Sequence, residues 1–113
     1  MVMIICITSK GPKSFDLVEE RFGRSPYFLF RDTGKDDFEP VANKFADAAG
    51  GVGPRAAQVL VDRGAKVLIT GNVGGNALSV IQAAGIEVFR YRDGGSVEDA
   101  FQKYQKGLLE KMA

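Results

Sequence analysis

Two short β-prone runs, AKVLIT at 65–70 and IEVFRY at 86–91, are each reached from a helix-like segment through one glycine and left through a glycine-rich loop. Helix–strand connections of only a few residues are typical of right-handed βαβ units, so this half of the chain predicts parallel strands. The first of the two helices opens behind Gly50-Gly51-Val52-Gly53-Pro54, with Pro54 near its first position and Gly64 just past its end. Ala77, Val80, Ile81 and Ala84 recur at helical spacing in the second, which Gly85 stops. After the strand at 86–91 and the loop Arg92-Asp93-Gly94-Gly95, Ser96 with Asp99 three residues on resembles a capping box. Val97, Phe101, Tyr104 and Leu108 then form one helical stripe, ended by Gly107 and the polar tail.

The first half has a different grammar. Residues 2–8 (VMIICIT) form a continuous apolar run rich in β-branched side chains, as in a central strand covered on both faces. It stops at the turn cluster Ser9-Lys10-Gly11-Pro12. Residues 14–21 fit either a short helix or an ordered loop. Pro26 opens a second run, Tyr27-Phe28-Leu29-Phe30-Arg31. Asp32-Thr33-Gly34-Lys35 reads as a tight turn, and Phe38-Glu39-Pro40-Val41-Ala42 as the returning strand. Pro40 cannot donate to a ladder, which assigns that strand to a sheet edge. The expectation is one α/β domain over residues 1–113, with a mixed five-stranded sheet and helices on both faces. The first strand and the two later ones are parallel and central, and the hairpin forms one side.

Composition removes much familiar enzymology. The 113 residues make two independent cores improbable and suffice for one core without staples. Fifteen Lys and Arg against fourteen Asp and Glu leave a net charge of +1, so no bulk field draws the chain to nucleic acid or an anionic membrane. A single Cys excludes an internal disulfide framework, a CxxC redox pair and a four-Cys metal site within one chain. The absence of His removes the commonest general base, the Ser–His and Cys–His pairings and most ordinary zinc sites. The apolar run at the start is too short to span a bilayer and lacks a basic leader and a cleavage site, which points to the cytoplasm.

Ligands of open α/β sheets sit beyond the carboxyl ends of the parallel strands. Those ends carry Thr8 and Ser9, then Gly71-Asn72-Val73-Gly74-Gly75-Asn76, then Arg92 to Gly95; the Gly50–Gly53 loop passes nearby. Glycine lets backbone N–H groups approach a ligand, and a helix start behind the loop adds positive potential, an arrangement suited to an anion. The alternative is that these glycines only serve turns and caps. Gly51-Val52-Gly53-Pro54-Arg55-Ala56 matches G-x-G-x-x-A, but no hydrophobic strand leads into it and the next strand ends in Thr70-Gly71 rather than an acid, so nucleotide binding is not the leading reading. Cys6 is either plain core or a thiolate facing the cleft. Arg21 and Arg24, set among aromatics in RFGRSPYF, are either solvated or guanidinium donors at the mouth of the cleft.

RFGRSPYF at 21–28, DAAGGVG at 47–53, TGNVGGNA at 70–77 and AAGIEV at 83–88 occur in one order along nearly the whole chain, ahead of the GGSVEDA helix start. In these motifs the chain resembles the dinitrogenase iron–molybdenum cofactor biosynthesis family, which includes NifX-like proteins, the C-terminal domain of NifB and the molybdenum–copper Orange protein. The resemblance implies a ribonuclease-H-like fold and a non-catalytic role in binding or carrying a small anionic metal–sulfur cluster or its precursor, molybdenum-containing in the Fe–Mo or Mo–Cu sense. It implies a cofactor-assembly or target protein as partner. Many members carry His directly before Phe-Gly. This chain has Arg21 there, which leaves electrostatic capture of the cluster. The candidate binding residues are Cys6, Thr8, Ser9, Arg21, Phe22, Arg24, Gly50, Gly51, Gly53, Gly71, Asn72, Gly74, Gly75 and Asn76, with Cys6 the one soft metal ligand. The competing reading is a metal-independent regulator or scaffold with a vestigial cleft. An enzyme has least support, because no acid–base or nucleophile–base pair can be named.

Overall fold

The computed structural model describes residues 2–48 and 52–113. Among them are six strands: β1 (Ile4–Ser9), β2 (Tyr27–Asp32), β3 (Glu39–Ala42), β4 (Ala65–Thr70), β5 (Glu87–Arg90) and β6 (Glu110–Lys111). The helices are α1 (Val52–Asp62), α2 (Gly75–Ala83) and α3 (Val97–Gln105). One sheet runs in the order β3-β2-β1-β4-β5-β6. β1, β4 and β5 are parallel at its centre, the β2–β3 hairpin lies on one side, and β6 is antiparallel to β5 on the other.

Strict alternation divides β1 between two cores. Ile5 and Ile7 pack with Leu29, Val67, Ile69 and Phe101 on the α3 face. Cys6 packs with Phe28, Phe30, Leu68, Ala57 and Ile81 under α1 and α2 on the other. Both faces are covered, which is why the run is apolar without a polar phase. The segment at 14–21 is an ordered loop pinned by backbone bonds, including Lys10 N–H to Leu17 O at 2.9 Å and Val97 N–H to Asp16 O at 2.9 Å.

Two expectations need correction. The sheet has six strands rather than five, because the polar tail contributes β6. That strand has no apolar alternation to reveal it; it is held by Met112 N–H to Val88 O at 2.7 Å and by the Lys111–Glu87 and Arg90–Glu110 ion pairs at 2.8 and 3.4 Å. Leu108 does not continue the α3 stripe and is 66% exposed. Gly107, at φ +71°, turns the chain out of the helix first. Its N–H bonds Tyr104 O at 3.0 Å and that of Leu108 bonds Lys103 O at 2.9 Å, a Schellman stop. α2 ends in the same way at Gly85, but there Ile86 is buried and leads into β5.

β3 is the edge strand, with Pro40 opposite Leu29. The Asn43 amide points inward to Pro26 O at 2.9 Å, so by alternation the Pro40 nitrogen sits on the outer side. The missing donor therefore costs the sheet nothing and blunts the edge. Among the described residues no helix is long and apolar enough to cross a membrane.

At the end of β5, Tyr91 is buried and its hydroxyl donates to Asp99 Oδ2 at 2.6 Å, with Lys103 Nζ 3.2 Å from the same oxygen. Burial, then the bond to Asp99, pushes the phenol from 10.0 up to about 12. The unfolded chain ionises Tyr91 near pH 10 and the folded chain only near 12. This contribution is intact below pH 10 and is lost as pH rises from 10 to 12. Tyr91→Phe should cost about 1 kcal/mol at pH 8, and its urea-unfolding stability should fall less steeply than wild type between pH 10 and 12. Parallel pH profiles for the two proteins would refute that assignment.

Candidate functional site

The loop after β1 is fixed before it reaches the site. Glu19 N–H donates to Thr8 O at 3.2 Å, and Thr8 Oγ1 donates to Glu19 O at 2.6 Å while lying 2.8 Å from Thr70 Oγ1. The chain then runs beside the β4–α2 loop: Asn72 N–H bonds Glu20 O at 2.7 Å, and Phe22 N–H bonds Asn72 O at 3.1 Å. Phe22 anchors this stretch in the core, 2% exposed and stacked on Phe28 with ring centroids 5.5 Å apart. Asn43 Nδ2 donates to Gly23 O at 3.1 Å and to Ser25 O at 2.9 Å, clamping the next turn.

These constraints bring Arg21 to Arg24 against the starts of α1 and α2, forming an open cleft of about 400 Å³. Of the candidate residues, Arg21, Phe22, Arg24, Gly53, Asn72, Gly74, Gly75 and Asn76 line it, joined by Gly23, Val52, Pro54 and Ala77. Among the described residues none of the lining side chains is acidic. Gly53 is favoured by close approach, since a Cβ there would lie 3.0 Å from Ala77 Cβ, a contact that α2 would have to shift to relieve. A Cβ on Gly74 or Gly75 would meet nothing within 4 Å, so at these two positions the missing side chain is open space.

Gly74 caps α2 without any side-chain acceptor, and the first helical bond is Leu78 N–H to Gly74 O at 2.9 Å. The amides of Gly75, Asn76 and Ala77 precede it and have no intrahelical acceptor. Two helix N-termini and Arg21 thus concentrate positive potential on a pocket otherwise walled by Phe22, Val52, Pro54 and Ala77. The Arg21 side chain is 72% exposed, with Nε 3.5 Å from Glu19 Oε2. Arg24 is used differently: one guanidinium nitrogen donates to Ala46 O at 2.9 Å and to Ala48 O at 2.7 Å, tying the turn that precedes α1 to this wall.

The other candidates lie elsewhere. Cys6 is fully buried under α1 and α2, and burial pushes its thiol well above the usual range, away from the thiolate a metal needs. Thr8 and Ser9 are buried and spend their side chains internally, Ser9 Oγ donating to Gly11 O at 2.7 Å. Gly71 packs on Glu20, where a Cβ would come within 2.7 Å, and its carbonyl accepts Arg92 Nε–H at 3.1 Å. Gly50 and Gly51 lie outside the described residues. In sequence, Asp16, Glu19 and Glu20 read as an acidic cluster on a solvated face, yet Glu19 is 9% exposed with its carboxylate beside Arg21; Asn43, whose clamp joins residues twenty positions apart, has no motif to reveal it.

Among the described residues no three His, Cys, Asp or Glu side chains gather to hold a metal. A metal species in this pocket would therefore be held through its own ligands, by hydrogen bonds and charge. A second cavity of about 510 Å³, between β3 and α1 and including Val41, Phe45 and Val59, contains neither helix start.

The family model for the dinitrogenase iron-molybdenum cofactor matches residues 1–107. The apo form of the orange protein from Desulfovibrio gigas superposes with a TM-score of 0.92 at 38% identity, over 98% of this chain and 93% of that one. A protein from Thermotoga, provisionally assigned as NifB, superposes with a TM-score of 0.86 at 39% identity, over 97% and 93%. An uncharacterized protein of Methanocaldococcus jannaschii is 27% identical over 93 residues, covering 80% of this chain and 78% of its own. With the match spanning all four sequence motifs, three of which line the pocket, this chain belongs to the dinitrogenase iron-molybdenum cofactor family.

Proposed function

We propose that the chain binds and carries a small anionic metal–sulfur cluster, or a precursor of one, without catalysing a reaction on it. The observation that carries this reading is the pocket: two helix N-termini converge on a cavity with no acidic lining residue and an open glycine pair. Terminal sulfides are large, soft acceptors that suit backbone N–H donors beside apolar walls, whereas a bare cation would find no ligand set here. The amides at Gly75 and Asn76, the Asn72 and Asn76 side chains and the Arg21 guanidinium supply the donors. Gly53 and Phe22 shape the walls, and Arg24 holds one of them in place. Molybdenum, with copper or iron, is the metal we propose, on the strength of the family. The sheet order, with β2 antiparallel and β1, β4 and β5 parallel, supports a ribonuclease-H-like reading of the fold.

The test is anaerobic titration of the apo-protein with tetrathiomolybdate, with and without copper or iron, followed by gel filtration and metal and sulfide analysis. A coloured complex of fixed stoichiometry is expected. Cys6→Ala should form it with unchanged affinity, because the thiol is sealed in the core. Loss of uptake in a folded Cys6→Ala protein would restore the thiolate as ligand. A colourless wild-type protein that captures one partner irrespective of metal would favour the scaffold reading instead.

A further inference from the structure

Glu19 is an acid beside an anion site, and nothing in the cargo reading requires it. Its side chain is only 11% exposed, its backbone is bonded in both directions to Thr8, and the Arg21 backbone N–H donates to its Oε2, so the carboxylate is held close to Arg21. Arg21 is the opposite kind of partner, a long side chain 72% exposed. It lines the binding pocket on one side and, on the other, a smaller recess that it shares with Lys10, Glu19 and Glu20. Its Nε lies 3.5 Å from Glu19 Oε2, at the loose limit of hydrogen bonding, while its backbone N–H donates to the same oxygen at 3.2 Å.

From this arrangement we infer that Glu19 is an affinity-setting counter-charge: it shares the Arg21 guanidinium with the cargo and keeps binding weak enough for release. The inference rests on the cargo reading of the pocket and concerns how tightly that pocket holds. Two effects have one sign. A buried carboxylate is poorly screened and repels a polyanion directly, and it competes for the guanidinium facing that anion. The opposing effect, ordering Arg21 for its task, is small, because a single contact at 3.5 Å on an exposed side chain restrains it little. The backbone bond from Arg21 N–H also survives replacement of the carboxylate by an amide, whose oxygen still accepts.

Glu19→Gln should therefore bind tetrathiomolybdate about tenfold tighter than wild type at low salt, with slower dissociation and a steeper loss of affinity as salt is added. Glu19→Asp keeps the charge and should stay near wild type. In an Arg21→Ala background, Glu19→Gln should gain only about twofold, the share due to direct repulsion. Circular dichroism and melting of each variant separate folding defects from affinity. Unchanged or weaker binding in folded Glu19→Gln overturns the counter-charge and makes Glu19 a brace for Arg21. Should Glu19→Gln fail to fold, the Asp variant and the salt dependence of the Arg21→Ala protein carry the comparison; equal salt slopes for Arg21→Ala and wild type would overturn the inference. If wild type does not bind tetrathiomolybdate at all, the cargo reading fails, and this inference with it.

Discussion

Gly74→Asp should make the protein more stable and its binding site useless. Gly74 is the N-cap of α2, at φ −67° and ψ 156°, an extended conformation open to any residue, and no side chain caps the helix there. An aspartate at this position can accept from the exposed amides of the first turn and complement the helix dipole. The expected gain is a few tenths to about 1 kcal/mol. No atom within 4 Å opposes its Cβ. The same carboxylate occupies the donors that the cargo needs and places a negative charge in a pocket that has none among its lining side chains. Loss of two charge-assisted hydrogen bonds amounts to about 3 kcal/mol, or roughly 100-fold in affinity. Melting temperature and tetrathiomolybdate affinity should thus move in opposite directions. Gly74→Ala, which adds neither charge nor acceptor, should bind within about threefold of wild type. A stabilised Gly74→Asp protein that still binds at wild-type strength would mean that the cargo does not sit on the α2 terminus.

The contrast between Gly74 and Cys6 shows what in this chain was legible from sequence. Glycine-rich turns ahead of a 3.6-residue apolar period locate a helix start, and a helix start has a fixed electrostatic sign. The sequence therefore places the start of α2 behind the Gly71-to-Asn76 loop, and Asn72, Gly74, Gly75 and Asn76 of that loop line the cavity while Gly71 does not. Cys6 could not be placed, because in a strand apolar on both faces alternation carries no information about which core a side chain enters. The sequence leaves Arg24 either solvated or a donor to the anion; its bonds to the carbonyls of Ala46 and Ala48 depend on where a distant loop returns, which no local pattern shows. β6 escaped notice for a related reason. Two exposed, oppositely charged residues form a strand because a backbone bond from Met112 to Val88 and ion pairs to Glu87 and Arg90 hold them beside β5. The strands with apolar runs and the glycine-terminated helices were legible; contacts between polar residues far apart in sequence were not.

Phe22 is where the fold and the site are hardest to separate, and a pair of substitutions separates them. Its ring is almost wholly buried, stacks on Phe28, and belongs to the core that also contains Cys6, Ala77 and Ile81. Phe22→Ala should cost about 3–5 kcal/mol, because the rigid strands and helix around it cannot close the cavity. Against a total of roughly 5–15 kcal/mol for a domain of this kind, that approaches unfolding, with a fall in Tm of about 12 °C or more. Uptake would be lost in this variant for a reason unrelated to contact with the cargo. Phe22→Leu keeps most of the apolar volume and should cost only about 1–2 kcal/mol. The backbone bond from residue 22 to Asn72 O is independent of the side chain, so the path of Arg21 past the β4–α2 loop is retained. Tetrathiomolybdate binding by Phe22→Leu should accordingly lie within about threefold of wild type, since the ring, almost wholly buried, offers the pocket little surface of its own. A Leu variant that unfolds in urea close to wild type but has lost its cargo would reverse this assignment, making the aromatic face itself a contact for the bound sulfides.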